Sequence, residues 1–67
     1  MKRDLVESSN LKTVGYEYGV LEIEFHSSGV YQFYGVPLEV YLGLLGASSK
    51  GSFFHRVIRD RYKYRRK

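Results

Sequence analysis

A chain of 67 residues without cysteine has neither a disulfide nor a thiolate–metal cluster to staple it, so its fold must stand on packing, supplied mainly by seven tyrosines and four phenylalanines. So short a chain buries only about 60% of the surface its unfolded form exposes, which leaves little room for a deep catalytic cleft. The net charge of +4 is unevenly spread: residues 1–49 carry −3 and residues 50–67 carry +7, with Asp60 the one acidic residue among eight basic ones. A field so segregated draws polyanions to one end of the molecule.

In chain order, Met1–Asp4 are not followed by a signal-type apolar run, and the longest nearly apolar stretch, Val40 to Ala47, is too short to span a bilayer. A cytoplasmic protein with no membrane attachment is the expectation. Leu11 to Tyr16 reads as a first strand, ending at a turn that Gly19 permits. Val20 to His26 alternates Leu21, Ile23 and Phe25 with Glu22, Glu24 and His26, the period-2 signature of a half-buried strand with its carboxylates in water. Ser27, Ser28 and Gly29 form a hairpin connection to a third strand, Val30 to Tyr34, in which Tyr31 and Phe33 share a face.

Pro37 suits the first turn of a helix, where its missing N–H has no partner, and Glu39 sits where the helix dipole favours it. Leu38, Tyr41, Leu42 and Leu45 recur at helical spacing, and the helix is predicted over Pro37 to Leu45. After a polar linker, Ser48 to Gly51, Ser52 can cap a second helix that carries Phe53, Phe54, Val57 and Ile58 and dissolves near Arg59 or Asp60. The last stretch, Arg61 to Lys67, interleaves Tyr62 and Tyr64 with five cations and reads as a short strand or an extended tail. The expected fold is therefore α+β: a three-stranded antiparallel β-meander packed against two short C-terminal helices. It forms one domain, residues 1–67, with flexible ends at 1–8 and 65–67. Val14, Tyr16, Leu21, Ile23, Phe25, Tyr31, Phe33, Tyr41, Leu45, Phe54, Val57 and Ile58 are expected to form most of the core.

The order Ser8-Ser9-Asn10-Leu11, Gly15-Tyr16, Leu21-Glu22-Ile23-Glu24-Phe25, Tyr31-Gln32-Phe33-Tyr34-Gly35-Val36-Pro37, Ala47-Ser48-Ser49-Lys50-Gly51, Phe53-Phe54 and Tyr62-Lys63-Tyr64 resembles the KTSC domain. The family is named for its place at the C-terminus of some lysyl-tRNA synthetases and also occurs as stand-alone small bacterial proteins. The resemblance implies a suspicion of RNA binding and no demonstrated activity. The family's central Tyr-x-Tyr here reads Tyr31-Gln32-Phe33, so the second ring keeps its packing surface and lacks the hydroxyl.

The functional candidates follow from chemistry. Cations release counterions from phosphates, and tyrosines stack on unpaired bases, so the C-terminal segment is the candidate nucleic-acid surface. Lys50, Arg56, Arg59, Arg61, Lys63 and Arg65 would contact phosphates and Tyr62 and Tyr64 would stack, with RNA or another nucleic acid as the partner. Tyr31 and Phe33 are read as core rather than as a stacking platform, and Glu22 and Glu24 would repel phosphates from the other face. Ser49, Lys50 and Gly51 offer at most a secondary anion site ahead of the second helix. The alternative is a protein partner docked at a sheet edge or at Tyr34, Leu38 and Leu42, the basic tail then serving solubility. His26 and His55 lack the spacing and companions of a zinc site, Ser52 and His55 lack an orienting carboxylate, and an exposed Glu22 and Glu24 would have nothing to push their pKa values apart. No enzyme activity, cofactor or metal is expected.

Overall fold

The computed structural model describes all residues, 1–67. Its centre follows from the alternation: β2 (Leu11–Glu17), β3 (Val20–Phe25) and β4 (Gly29–Phe33) form an antiparallel meander. Glu17 and Val20 pair across a two-residue turn at Tyr18 and Gly19, whose φ values of 51° and 78° are those of a type I′ turn, the hairpin connection that matches strand twist. Ile23 lies opposite Val14 and Tyr31, and Leu21 opposite Tyr16 and Phe33, which gathers the apolar residues on one face. A one-residue bulge between Leu11 and Thr13 keeps both Leu11 and Val14 on that face, and both are fully buried.

The sheet has five strands rather than three. β1 (Asp4–Leu5) pairs with β2, and β5 (Tyr64–Arg66) returns from the helices to pair with β4, giving the antiparallel order β1-β2-β3-β4-β5. Strands of two and three residues are too short to show an alternation of their own, so only the pairing edges of β2 and β4 identify them. The segments expected at the chain ends, 1–8 and 65–67, thus carry one edge strand and most of the other.

α1 (Leu38–Gly46) starts one residue later than expected, with Pro37 as its N-cap. Its core residue is Leu44, fully buried, while Leu45 is 37% exposed and leaves the expected core. The sequence Leu38-Glu39-Val40-Tyr41-Leu42-Gly43-Leu44-Leu45 is apolar almost all round, so periodicity alone does not choose the buried stripe. The choice is made by Tyr16, whose ring stacks on Tyr41 at 4.9 Å and whose hydroxyl donates to the Val36 carbonyl at 2.5 Å. α2 (Lys50–Phe53) is capped by Ser49, whose side chain accepts from the Ser52 N–H at 3.3 Å; Ser52 is inside the helix and is not the cap. α2 then widens into a π-helical turn, Phe54–Ile58, closed by the Arg59 N–H on the Phe54 carbonyl at 2.9 Å. The helices cover the apolar sheet face, and the core is Leu11, Val14, Leu21, Ile23, Phe33, Val36, Leu44, Phe54 and Ile58.

Candidate functional site

Because facing residues of paired strands share a sheet face, Tyr64 and Arg66 join Phe33 and Tyr31 on the helix side, while Arg65 joins Gln32 on the other. The basic segment is therefore split between two surfaces. On the helix side, the β3–β4 hairpin, the loop before β2, the π-helical turn and β5 surround an open cleft of about 520 Å³. Its floor is aromatic. Phe54 meets Phe25 at 5.1 Å and Phe33 at 5.4 Å, both edge to face, and Tyr64 leans on Phe33 at 5.7 Å and on Tyr31 at 5.9 Å. These tilted contacts are the favoured aromatic geometries. Phe33 is core, as the sequence implied, but Tyr31 is half-buried and reaches the cleft, and Tyr64 is 60% exposed.

The rim is polar. Asn10, His26, Ser28, His55, Arg59 and Asp60 stand round it. Arg59 Nη1 donates to His55 Nδ1 at 3.1 Å, and the His26 ring lies 3.1 Å from the Ser8 carbonyl, so neither imidazole is oriented by a carboxylate as a general base would be. The Arg66 guanidinium lies 5.9 Å from the centre of the Tyr31 ring, within cation–π range. No group of three or more metal-ligating side chains converges anywhere in the structure, and no helix is long and apolar enough to cross a membrane.

Of the residues singled out from sequence, Arg59 and Tyr64 line the cleft, and a shallow neighbouring hollow brings Arg59, Arg61, Tyr62, Lys63 and Tyr64 together. Tyr62 is half-buried and packs on the core, so Tyr64 alone of the pair has an open ring. Lys50 is held at the start of α2, its ammonium donating to the Ala47 carbonyl at 3.2 Å. Arg56 is exposed on the π-helical turn outside the cleft lining, and Arg65 is exposed on the far side of the sheet. Arg66 and, apart from Arg59, the polar rim were not singled out from sequence, because only strand pairing carries Arg66 to Tyr31 and only the folded hairpin carries His26 and Ser28 toward His55.

The far sheet face also differs from expectation. Glu22 is not in water: its side chain is 1% exposed. Gly15 has no side chain, which lets the N-terminal segment cross it closely; a Cβ there would strike the Lys2 carbonyl and lie 2.9 Å from Arg3 Cγ. Arg3 thereby reaches over Gly15 and donates to Glu22 Oε2 at 2.5 Å, Gln32 donates to Oε1 at 2.8 Å, and Lys67 stands 3.6 Å from it. Burial alone would push the carboxyl up, but the bonds from Gln32 and Arg3 and the charges of Lys67 and Arg3 outweigh it and hold it below its ordinary value of 4.5. Of the eight cations from Lys50 onward, Lys67 alone forms an ion pair. The other seven have no carboxylate within 4.0 Å.

The KTSC domain profile matches residues 7–62. The chain is 42% identical to an uncharacterized protein of Stutzerimonas stutzeri, over 96% of this chain and 94% of that one. It is also 42% identical to a segment of the lysine–tRNA ligase of Trichormus variabilis, covering 87% of this chain but 11% of the ligase. The crystal structure of a KTSC domain protein from Yersinia pestis superposes with a TM-score of 0.95 at 37% identity, over 98% of this chain and 96% of that one. With the profile, the sequence relatives and the five-stranded fold in agreement, the chain belongs to the KTSC domain family.

Proposed function

We propose that this domain is a non-catalytic module that binds RNA through its basic C-terminal segment. The observation that carries the reading is charge without compensation: seven of eight cations after Ser49 have no carboxylate partner, and an open tyrosine ring lies among them. Unpaired guanidinium and ammonium groups are the ones that release counterions from a phosphate backbone. Lysine–tRNA ligases that carry a segment similar to this chain lend support, since such an enzyme handles RNA. Arg59, Arg61 and Lys63 form the centre of the phosphate-binding surface, Arg56 and Lys50 extend it along α2 and the π-helical turn, and Arg65 serves the edge.

The test is binding of a fluorescent single-stranded RNA across a salt series. About four phosphate contacts give a slope of log K against log salt near −3, since each contact contributes about −0.7 on a single strand. Replacing Arg61 and Lys63 together by Gln should weaken all RNA sequences alike and flatten the slope by about 1.4. A slope near zero for the native protein would remove the proposal. Point variants are the cleaner tool, because truncation after Arg59 takes β5 and Tyr62 out of the fold.

A second reading is favoured by one surface. Leu38, Leu42 and Leu45 are 52%, 55% and 37% exposed at i, i+4 and i+7 of α1, with Tyr34 also exposed, a stripe suited to a protein partner. Leu42→Glu separates the two readings: it leaves RNA affinity unchanged under the first and abolishes partner capture under the second.

A further inference from the structure

We propose that the cleft between the π-helical turn and the β3–β4 hairpin seats a single unstacked nucleobase of single-stranded RNA. The inference rests on the RNA-binding reading above and narrows it to one nucleotide at one place. A volume of about 520 Å³ is in the range of sites that enclose a small molecule. Its floor is built for a flat aromatic guest: Tyr64 is propped at an angle on Phe33 and Tyr31 and leaves 60% of its surface open. A base laid on that ring gains sequence-tolerant stacking.

The rim supplies what a base and its phosphate need. Asn10 carries an amide, Ser28 a hydroxyl and Asp60 a carboxylate free of any ion pair, so donors and acceptors for a base edge line the cleft. Two cations are at hand: Arg59 lines the cleft, and Arg66, beside Tyr31, lies so close to the hairpin that a Cβ on Gly29 would sit 3.4 Å from its Nη2. Phosphates on either side of the seated nucleotide would meet these two guanidinium groups. Duplex RNA keeps its bases stacked and paired, so only a single strand can offer one to the cleft.

The experiment is NMR of the full chain with single-stranded hexa-adenylate at low salt, with a blunt, self-complementary GC-rich RNA duplex as the second arm. The expected result is upfield movement of the Tyr64 and Tyr31 ring protons, with NOEs from an adenine proton to the Tyr64 ring, on the single strand only. Tyr64→Phe should bind within about twofold of the native protein. Tyr64→Leu, which keeps apolar cover over Phe33 but has no π-face, should bind about 5- to 150-fold more weakly, the loss of one stacked base. Silent cleft rings while the Arg61 and Lys63 amides shift would overturn this inference and leave RNA binding standing. Silence of every resonance with both RNAs would overturn both.

Discussion

Glu22 is where a single side chain changes the account of the molecule. The alternation of β3 points it away from the apolar core, yet Arg3 and the Gly15 gap roof it over, so it is a buried carboxylate held by three partners. Lys67, with its side chain 58% exposed, contributes little to holding it, because such pairs are screened by solvent. The bonds from Arg3 and Gln32 matter more, and Glu22→Gln should cost about 1–2 kcal/mol in urea unfolding at neutral pH. Because the folded pKa lies below the ordinary value of 4.5, the charged form favours the native state. Its contribution is full above about pH 4.5 and is lost as pH falls through the folded value. The gap between native protein and variant should therefore close in acid; a gap of constant size at every pH would assign the effect to packing instead.

At the scale of elements, the helical half depends on caps and on one widened turn. Ser49 satisfies an orphan N–H at the start of α2, so Ser49→Ala should destabilise the domain by about 1 kcal/mol, whereas exposed Ser52, already helical, should tolerate alanine within about 0.5 kcal/mol. Equal effects of the two would mean that the cap is elsewhere. The π-helical turn that follows sets Phe54 and Ile58 into the core while leaving His55 and Arg59 on the cleft rim. Single π-turns of this kind recur at functional sites, which agrees with its place in the wall of the proposed base seat.

For the molecule as a whole, both edge strands are tied to the same centre. Arg3, just before β1, and Lys67, just after β5, meet at Glu22, while the Tyr34 N–H bonds the Lys63 carbonyl and the Lys67 N–H bonds the Val30 carbonyl. A basic C-terminus built into the sheet is a structural part of the domain as well as a charged surface. Removing residues 64–67 should cost about 2 kcal/mol or more, from lost ladder bonds and the uncovering of Tyr31 and Phe33, and should raise dye binding to exposed aromatics. In a domain of this size that is a large share of a total stability of roughly 3–10 kcal/mol. A truncated chain with an unchanged urea midpoint would show that β5 only rests on the sheet.

Residues with a strong local pattern were legible without coordinates. The alternation from Val20 to His26, the glycine at position 19 and the polar break at Ser27 to Gly29 determine the central meander, and the motif order determines the family. The uneven charge was equally plain. What needed the tertiary structure is whatever depends on a neighbour distant in sequence: two edge strands too short to have a period, the buried side of a helix apolar all round, and the serine that caps α2. Above all, local alternation can say that Glu22 faces away from the core, but it cannot say that an arginine 19 residues away will lie across a glycine and cover it. The cleft is of the same kind, since its aromatic floor and polar rim come from four separate segments that only pairing and packing bring together.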